Sequence, residues 1–192
     1  ALHASHQRFN LTILTVNTHE PEGHLSQRCG EQGYAGFEGV VQCTASDLGQ
    51  FLDFVKTSGY LADTNVVVMG DHLARKNPVY DKLSEVPERT IFNLFVSSDL
   101  PRKNTDQIVH FDMLPTILEF SGFKVAGGRL GLGYSAFNTH VEKPSPTRFN
   151  EMEQMLMNRS DAYSHLWDAP PRLHQQPQHP GNAVDVVALR VP

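Results

Sequence analysis

Asp71 and His72 are adjacent side chains that can each bind a metal ion, and they directly follow the apolar run VVVMG. The run is rich in β-branched residues, which predicts a buried strand over residues 65–69. A carboxylate oxygen beside an imidazole nitrogen suits Mn²⁺ or Zn²⁺. In the alternative interpretation, Asp71 caps the turn after the strand and His72 is a polar residue with satisfied hydrogen bonds. The pattern by itself leaves both interpretations open.

His19 occupies a similar position after an earlier apolar run. Residues 11–16 (LTILTV) predict another buried strand, and the polar stretch NTHEP follows it. Ligands gather at the carboxyl ends of the strands in open parallel sheets. A histidine at this edge can hydrogen-bond an anionic substrate, so His19 joins Asp71 and His72 as a candidate site residue.

Three other polar clusters have a simpler structural explanation. His110 and Asp112 lie at the start of a predicted helix, where Asp112 suits an N-cap. The glycine-rich loop at residues 127–133 could bind a phosphate through backbone N–H groups, but a plain turn is the more common use of such a loop. His174 and His179 lie in a polar segment where a solvated tail is expected. The sequence contains no G-x-S-x-G motif and no P-loop.

The elements around the candidate residues predict an α/β fold. Ser46 and Asp47 predict the start of a helix with an apolar face at helical spacing, and Gly59 predicts its end. The strand at residues 11–16, this helix and the strand at residues 65–69 follow one another along the chain. That order is typical of a parallel sheet.

The second half of the chain continues with alternating elements. A third strand is predicted at residues 91–96, a helix at residues 112–120 and a further helix at residues 149–167. Residues 169–192 are rich in Pro, Gln and His, which predicts a loop or a disordered tail. A short strand at residues 184–191 could close this tail.

Composition and cysteine spacing limit the function classes. A net charge of −5, with Lys and Arg scattered, argues against nucleic acid as the partner. The chain contains no apolar run near the ~20 residues that a membrane helix needs. It begins ALHASHQRFN without a Met, so we interpret it as part of a longer protein. Cys29 and Cys43 are too far apart for a CxxC metal knuckle, and either a disulfide or two buried thiols fits their spacing.

Four stretches of the chain together resemble a known superfamily. They are NLTILTVNTHEPEGHLSQRC, FLDFVKTSGYLADTNVVVMGDHLA, HFDMLPTILEFSG and LGLGYS. They are similar to the sulfatase/alkaline-phosphatase superfamily and, within it, to the enzymes that transfer phosphoglycerol to osmoregulated periplasmic glucans. The likeness runs over residues 9–137. It implies an alkaline-phosphatase-like α/β/α sandwich with a mostly parallel sheet, of which residues 1–168 are a C-terminal portion and residues 169–192 a tail.

The resemblance implies a membrane-anchored enzyme at the periplasmic face of the bacterial inner membrane. Such an enzyme moves phosphoglycerol from phosphatidylglycerol to a periplasmic glucan and needs a divalent metal, expected to be Mn²⁺. By position, Asp71 and His72 match the Asp–His pair that holds the metal, and His19 matches the histidine that contacts phosphoglycerol. The resemblance also implies a disulfide between Cys29 and Cys43.

The chain departs from the resembled pattern at the nucleophile. A nucleophilic Thr and a Glu metal ligand are expected upstream of Ala1, and Thr18 is no substitute because it belongs to the His19 motif. We therefore expect this chain alone to be inactive. Tyr134 stands where the family has an Arg. Two alternatives stay open: a metal-dependent sulfatase or phosphodiesterase, and a non-catalytic glucan-binding domain that lacks the nucleophile.

Overall fold

A computed structural model describes residues 4, 8–98, 108–138 and 146–168. The described residues divide into two compact units, one within residues 13–138 and the other within residues 1–12 and 139–192. The first unit contains α1 (Gln27–Glu31), α2 (Gly36–Thr57), a 3₁₀ turn (Tyr60–Ala62), β1 (Val66–Met69), α3 (Tyr80–Ser84), β2 (Asn93–Val96), α4 (His110–Phe120), a second 3₁₀ turn (Ala126–Gly128), β3 (Arg129–Leu130) and β4 (Gly133–Tyr134). The second contains α5 (Pro146–Leu156) and α6 (Asp161–Asp168). None of the helices in the described ranges is long and apolar enough to cross a membrane.

The helix predicted to begin at Ser46 and Asp47 begins ten residues earlier, at Gly36, so that prediction is wrong. Glycines in the preceding stretch favour irregular structure, but tertiary packing offsets this preference and α2 runs straight through Ser46. The predicted end is confirmed. Gly59 has φ +76°, and its N–H donates to the carbonyl of Lys56, which completes the last turn.

A disulfide between Cys29 and Cys43 joins α1 to α2, as the resemblance implied. The Cα atoms of the two cysteines are 6.0 Å apart, and both side chains are buried beside Val40 in the small core of this region. Arg28 also reaches across the two helices and forms an ion pair with Asp47. The bridge and the ion pair together hold α1 against the middle of α2.

Lys82 of α3 forms an ion pair with Glu38 of α2, with 2.6 Å between the ammonium and the carboxylate. The hydrogen bond from Lys82 and its positive charge lower the pKa of Glu38. The native state therefore favours the carboxylate form of Glu38. This contribution to stability is present above the ordinary pKa of a glutamate and is lost as the pH falls through the lowered pKa.

The mixed helix and strand content that we predicted is confirmed, but the sheets of the described residues are small and antiparallel. β1 pairs with β2 in antiparallel register, from Val66 opposite Val96 to Met69 opposite Asn93. β3 and β4 form a separate antiparallel pair. The predicted strands at residues 65–69 and 91–96 are thus correct in position, whereas the parallel pairing is wrong for this part of the chain.

The strand predicted at residues 11–16 is not formed, which accounts for the missing parallel pair. These residues join no ladder, and Ile13, Leu14 and Val16 are 64, 78 and 59% exposed. A strand needs neighbouring strands and a packed face to be stable. The described residues place no strand beside this run, so its apolar side chains stay in solvent.

Helix α4 confirms the helix predicted at residues 112–120 and begins two residues earlier. Asp112 is its third residue, not its N-cap, and the buried carboxylate accepts hydrogen bonds from the N–H groups of Val109 (3.0 Å) and Tyr134 (2.7 Å). Asp112 therefore has the structural role that we favoured, and it also joins the helix to β4.

An aromatic cluster at the other end of α4 packs the helix on the β1–β2 sheet; its members are Phe95, Phe120 and Phe137.

The glycine-rich loop at residues 127–133 is a turn and a short hairpin, as its plainer interpretation predicted. The N–H of Gly128 donates to the carbonyl of Val125, and Gly128 in turn accepts from Ser135. Gly133 lies so close to α4 that an added Cβ would be 1.7 Å from the carbonyl oxygen of Phe111. A close approach to α4 thus explains Gly133, whereas Gly127 and Gly131 have positive φ angles and open space around a Cβ.

In the second unit, the single helix predicted at residues 149–167 is two helices, α5 and α6. Ser160 separates them, because its hydroxyl accepts a hydrogen bond from the N–H of Tyr163 and so caps α6. The tail at residues 169–192, with His174, His179 and the strand predicted at residues 184–191, lies outside the described residues.

Replacing both Cys29 and Cys43 by Ser removes the covalent link between α1 and α2. We expect the free energy of unfolding to fall by about 3 kcal/mol, because the unfolded chain is no longer restrained by a closed loop of this size. Urea unfolding followed by circular dichroism measures the change. Reductant should destabilise the native protein by a similar amount and leave the Ser variant unaffected; a loss below about 1 kcal/mol would contradict the expectation.

Gly133→Ala would force a methyl group into the carbonyl of Phe111. We expect a loss of about 3 kcal/mol or more, because backbone atoms must move to relieve the clash. Gly131→Ala in the same hairpin is the matched control. Gly131 has φ +59° with open space around a Cβ, so only a backbone penalty of about 1 kcal/mol is expected there. Equal unfolding midpoints for the two variants would show that the close approach is unimportant.

Candidate functional site

The end of β1 positions Asp71 and His72. The N–H of Gly70 donates to the carbonyl of Phe92 at 2.9 Å, which extends the β1–β2 pairing by one residue. Gly70 has no room for a side chain, since an added Cβ would be 2.6 Å from Ile91 Cγ2. The chain therefore leaves the sheet at Gly70, and Asp71 and His72 are the first two side chains beyond it.

The imidazole of His72 is oriented by the backbone that follows it. Its Nδ1 lies 2.8 Å from the carbonyl oxygen of Leu73. A carbonyl can only accept, so Nδ1 carries the proton and the Nε2 of the neutral ring carries a lone pair. This Nε2 lies 3.5 Å from Asp71 Oδ2. Two good ligand atoms, one nitrogen and one oxygen, thus face each other at the protein surface.

The carboxylate of Asp71 makes the turn-capping contact of one interpretation, and the metal-ligand interpretation stays a prediction. Its Oδ1 accepts a hydrogen bond from the N–H of His72 at 3.0 Å, which is a turn-capping contact. Its Oδ2 is turned toward His72 Nε2, and the side chain is 76% exposed. Capping through one oxygen therefore leaves the other oxygen available for a ligand.

The spacing of Asp71 Oδ2 and His72 Nε2 fits two ligands of one metal ion. Ligand atoms with bonds of about 2.1 Å in tetrahedral geometry lie roughly 3.4 Å apart. A hydrogen bond from the other ring nitrogen to a backbone carbonyl is the usual support for a metal-binding histidine. The donor set therefore fits a divalent ion such as Mn²⁺ or Zn²⁺.

A third metal ligand is not found beside this pair in the described part of the chain. There, one cluster has three potential ligand side chains within 4.8 Å of one another, namely Cys29, Cys43 and Asp47. The two sulfurs of that cluster form the disulfide, so it is not a metal site. Asp71 and His72 can supply two ligands of an ion, and any others must come from elsewhere.

His19 has the same local geometry as His72. Its Nδ1 lies 2.6 Å from the carbonyl oxygen of Glu20, the next residue, which leaves the Nε2 lone pair available. Residues 17–24 form a loop, here called the His19 loop, which is closed by a 2.7 Å hydrogen bond from the N–H of His24 to the carbonyl of Asn17. Gly23 packs this loop on α2, with a Cβ position 3.3 Å from Val40. The ring of His19 is thus presented at the surface from a closed loop.

An ion pair joins the His19 loop to the loop at residues 70–79, here called the Asp71 loop. Arg75 Nε lies 3.6 Å from Glu20 Oε1. The Glu20 side chain is 18% exposed, whereas Arg75 is 76% exposed. The two segments that the sequence placed at one sheet edge are therefore neighbours, even though the strand before His19 is not formed.

Hydrogen bonds from side chains hold the Asp71 loop in shape. Three consecutive carbonyls accept them: Leu73 from His72 (2.8 Å), Ala74 from Arg89 (2.6 Å) and Arg75 from Asn77 (2.8 Å). Asn77 is buried and also accepts the N–H of Val79 at 2.9 Å.

The residues that support the two loops were not predicted from the sequence; they are Glu20, Arg75, Asn77 and Arg89. The Asn77–Pro78 dipeptide, a common turn signal, was the available clue for one of them.

Of the remaining sequence candidates, His110 is exposed at the start of α4. Tyr134 stacks under the guanidinium of Arg129, which lies 5.3 Å from the ring centroid.

The chain is similar to proteins named phosphoglycerol transferase I. Those of Salmonella typhi, Salmonella typhimurium and Salmonella newport are each 29% identical to it over 182 residues, which make up 90% of this chain and 23% of the relative. The chain thus spans less than a quarter of the length of these curated relatives. No family model matches it, and no solved structure does. The resemblance predicted from the sequence is confirmed and extends beyond residues 9–137.

Asn77→Ala removes the side chain that bonds to both Arg75 and Val79. We expect a loss of about 1–2 kcal/mol in unfolding free energy, because two backbone groups lose their partner. Lys76→Ala, at the exposed neighbouring position, is the control and should stay within about 0.5 kcal/mol of the native protein. Thermal unfolding of the two variants measures the difference. If both variants unfold alike, Asn77 does not hold the loop.

Proposed function

We propose that this chain is part of a metal-dependent transferase that moves phosphoglycerol from phosphatidylglycerol to a periplasmic glucan. The proposal is supported by the similarity to proteins named phosphoglycerol transferase I. It is carried by one observation in the structure, the 3.5 Å separation of Asp71 Oδ2 and His72 Nε2, with His72 Nδ1 2.8 Å from the carbonyl oxygen of Leu73.

Asp71 and His72 would hold a divalent ion, which we expect to be Mn²⁺. When bound, such an ion supplies a Lewis acid that favours deprotonation of a coordinated hydroxyl and balances charge at phosphorus. Asp71 would contribute an anionic oxygen and His72 a neutral nitrogen, so the pair would keep one positive charge on a divalent ion. The remaining ligand and the nucleophilic Thr would belong to the rest of the longer protein.

His19 would act on the phosphoglycerol group. Its Nε2 lone pair can take a proton from a glycerol or glucan hydroxyl, and the protonated ring can donate to a phosphoryl oxygen. The bond from Nδ1 to the carbonyl of Glu20 keeps the ring in one orientation for both tasks. His19 is thus proposed as a substrate-binding residue that positions or protonates a phosphoglycerol oxygen.

The fold proposed for the longer protein is an alkaline-phosphatase-like α/β/α sandwich with a mostly parallel sheet. The exposed apolar run at residues 13–16 supports it, because such a run would pair and become buried beside strands from another part of that protein. The disulfide supports an oxidising compartment. We therefore propose the periplasmic face of the bacterial inner membrane as its location.

Asp71→Asn and His72→Gln test the proposal in the full-length protein with phosphatidylglycerol vesicles and a periplasmic glucan. We expect each to lower Mn²⁺-dependent transfer of phosphoglycerol on the order of 100-fold, because a metal ligand is lost. His19→Gln should lower transfer while Mn²⁺ affinity, measured by calorimetry, stays unchanged. Asp81→Asn, an exposed carboxylate on α3, is the matched control.

Two results would contradict this function. Transfer that survives both Asp71→Asn and removal of metal by chelator would exclude the metal site. Release of glycerol phosphate to water with no transfer to glucan would instead indicate a phosphodiesterase.

A further inference from the structure

Glu20 connects the His19 ring to the Asp71 loop through two different groups. Its backbone carbonyl accepts the hydrogen bond from His19 Nδ1 at 2.6 Å. Its carboxylate faces Arg75 Nε at 3.6 Å. The backbone of His19 is held within its own loop, because its N–H donates to the carbonyl of Val16 and its carbonyl accepts from Gly23. The Glu20 side chain adds an ion pair from this loop to the Asp71 loop.

The backbone of Arg75 is restrained on both sides. Its own carbonyl accepts from Asn77, and the carbonyl of the preceding Ala74 accepts from Arg89. The Leu73 carbonyl, one residue earlier, orients His72. The guanidinium of Arg75 thus extends from the same fixed stretch of backbone that sets the ring of His72.

The charges of Glu20 and Arg75 attract each other. Glu20 is only 18% exposed, and a carboxylate so largely removed from water is costly without a positive partner. The Arg75 stem lies mostly in solvent, so the pair contributes little to overall stability. Its consequence is geometric: it joins the two loops that carry the candidate site residues.

We propose that Glu20 and Arg75 form a positioning pair, which sets the distance between His19 and the Asp71–His72 pair. The inference rests on the proposed function, since that distance matters for a substrate held between His19 and a metal ion. Neither residue contacts the reacting atoms in this proposal. Arg75 acts on His19 through Glu20, and both side chains have a positioning role.

Histidine NMR measures this distance directly in the full-length protein. Mn²⁺ alone is added as a paramagnetic probe to ¹³C-histidine-labelled protein, and the signals are assigned with His19→Gln and His72→Gln. In the native protein we expect strong broadening of His72 and weaker broadening of His19. In Glu20→Gln and in Arg75→Gln, the broadening of His19 should change while that of His72 stays the same.

Matched controls separate the pair from a general change of charge. Glu22→Gln in the His19 loop and Lys76→Gln in the Asp71 loop remove the same charges from exposed neighbours, and they should leave both signals unchanged. The Glu20→Gln/Arg75→Gln double variant should resemble each single variant, because the two residues act as one unit. If the changes in the two single variants instead add up in the double variant, the two residues act independently and the proposed pair is wrong.

Transfer kinetics provide the second readout. We expect each single variant to lower kcat about tenfold with little change in KM, because His19 is displaced by a fraction of the roughly 1 Å that can cost 100-fold. Arg75→Lys should restore part of the loss by keeping the charge. A rise in KM alone in Arg75→Gln, with the His19 signal unmoved, would make Arg75 a substrate contact and overturn the positioning role.

Failure of the pair and failure of the proposed function give different results. Native protein that transfers no phosphoglycerol, with His72 unbroadened by Mn²⁺, would contradict the function. The pair is then judged by the His19 ring carbon shifts in the protein without metal. A shift change in both Glu20→Gln and Arg75→Gln that Glu22→Gln and Lys76→Gln do not show would support it, and unchanged shifts would overturn it.

Discussion

The hydrogen bonds to three consecutive carbonyls in the Asp71 loop are the constraint on which the site depends. They fix the backbone of Leu73, Ala74 and Arg75, which directly follow His72. One of them also selects the protonated nitrogen of His72, so a single contact shapes the backbone and prepares a ligand atom. The chemistry proposed for the end of β1 is thus a consequence of how its loop is closed.

The His19 loop depends on a different support, the disulfide-linked helices α1 and α2. Cys43 and Val40 are almost fully buried, and the Gly23 backbone packs against the same part of α2. Covalent linkage of α1 to α2 compensates for the small apolar core of this region. The two loops are therefore supported by different parts of the protein, and the Glu20–Arg75 ion pair connects them.

Local patterns in the sequence were sufficient for elements whose stability is local. The strands near Val66 and Asn93 and the helix near Asp112 were predictable because an apolar run or face is bounded by polar or glycine signals. The start of α2 was not, since packing beside the disulfide offsets its glycines. The run at residues 11–16 has the composition of a strand, but a strand also needs a partner that this part of the chain does not place beside it. Asp71, His72 and His19 could be named from their types, whereas their supporting contacts join positions far apart in sequence and leave no local pattern.

Anomalous X-ray scattering at the manganese edge, from crystals of the full-length protein soaked in Mn²⁺, shows whether Asp71 and His72 hold the metal ion. We expect one strong peak within bonding distance of Asp71 Oδ2 and His72 Nε2, with His19 facing it and the Nδ1 bonds to Leu73 and Glu20 retained. A strong peak at another site, with Asp71 and His72 bonded only to each other and to solvent, would contradict it. In that case the pair would be a turn cap, and the metal-dependent function would have to be abandoned.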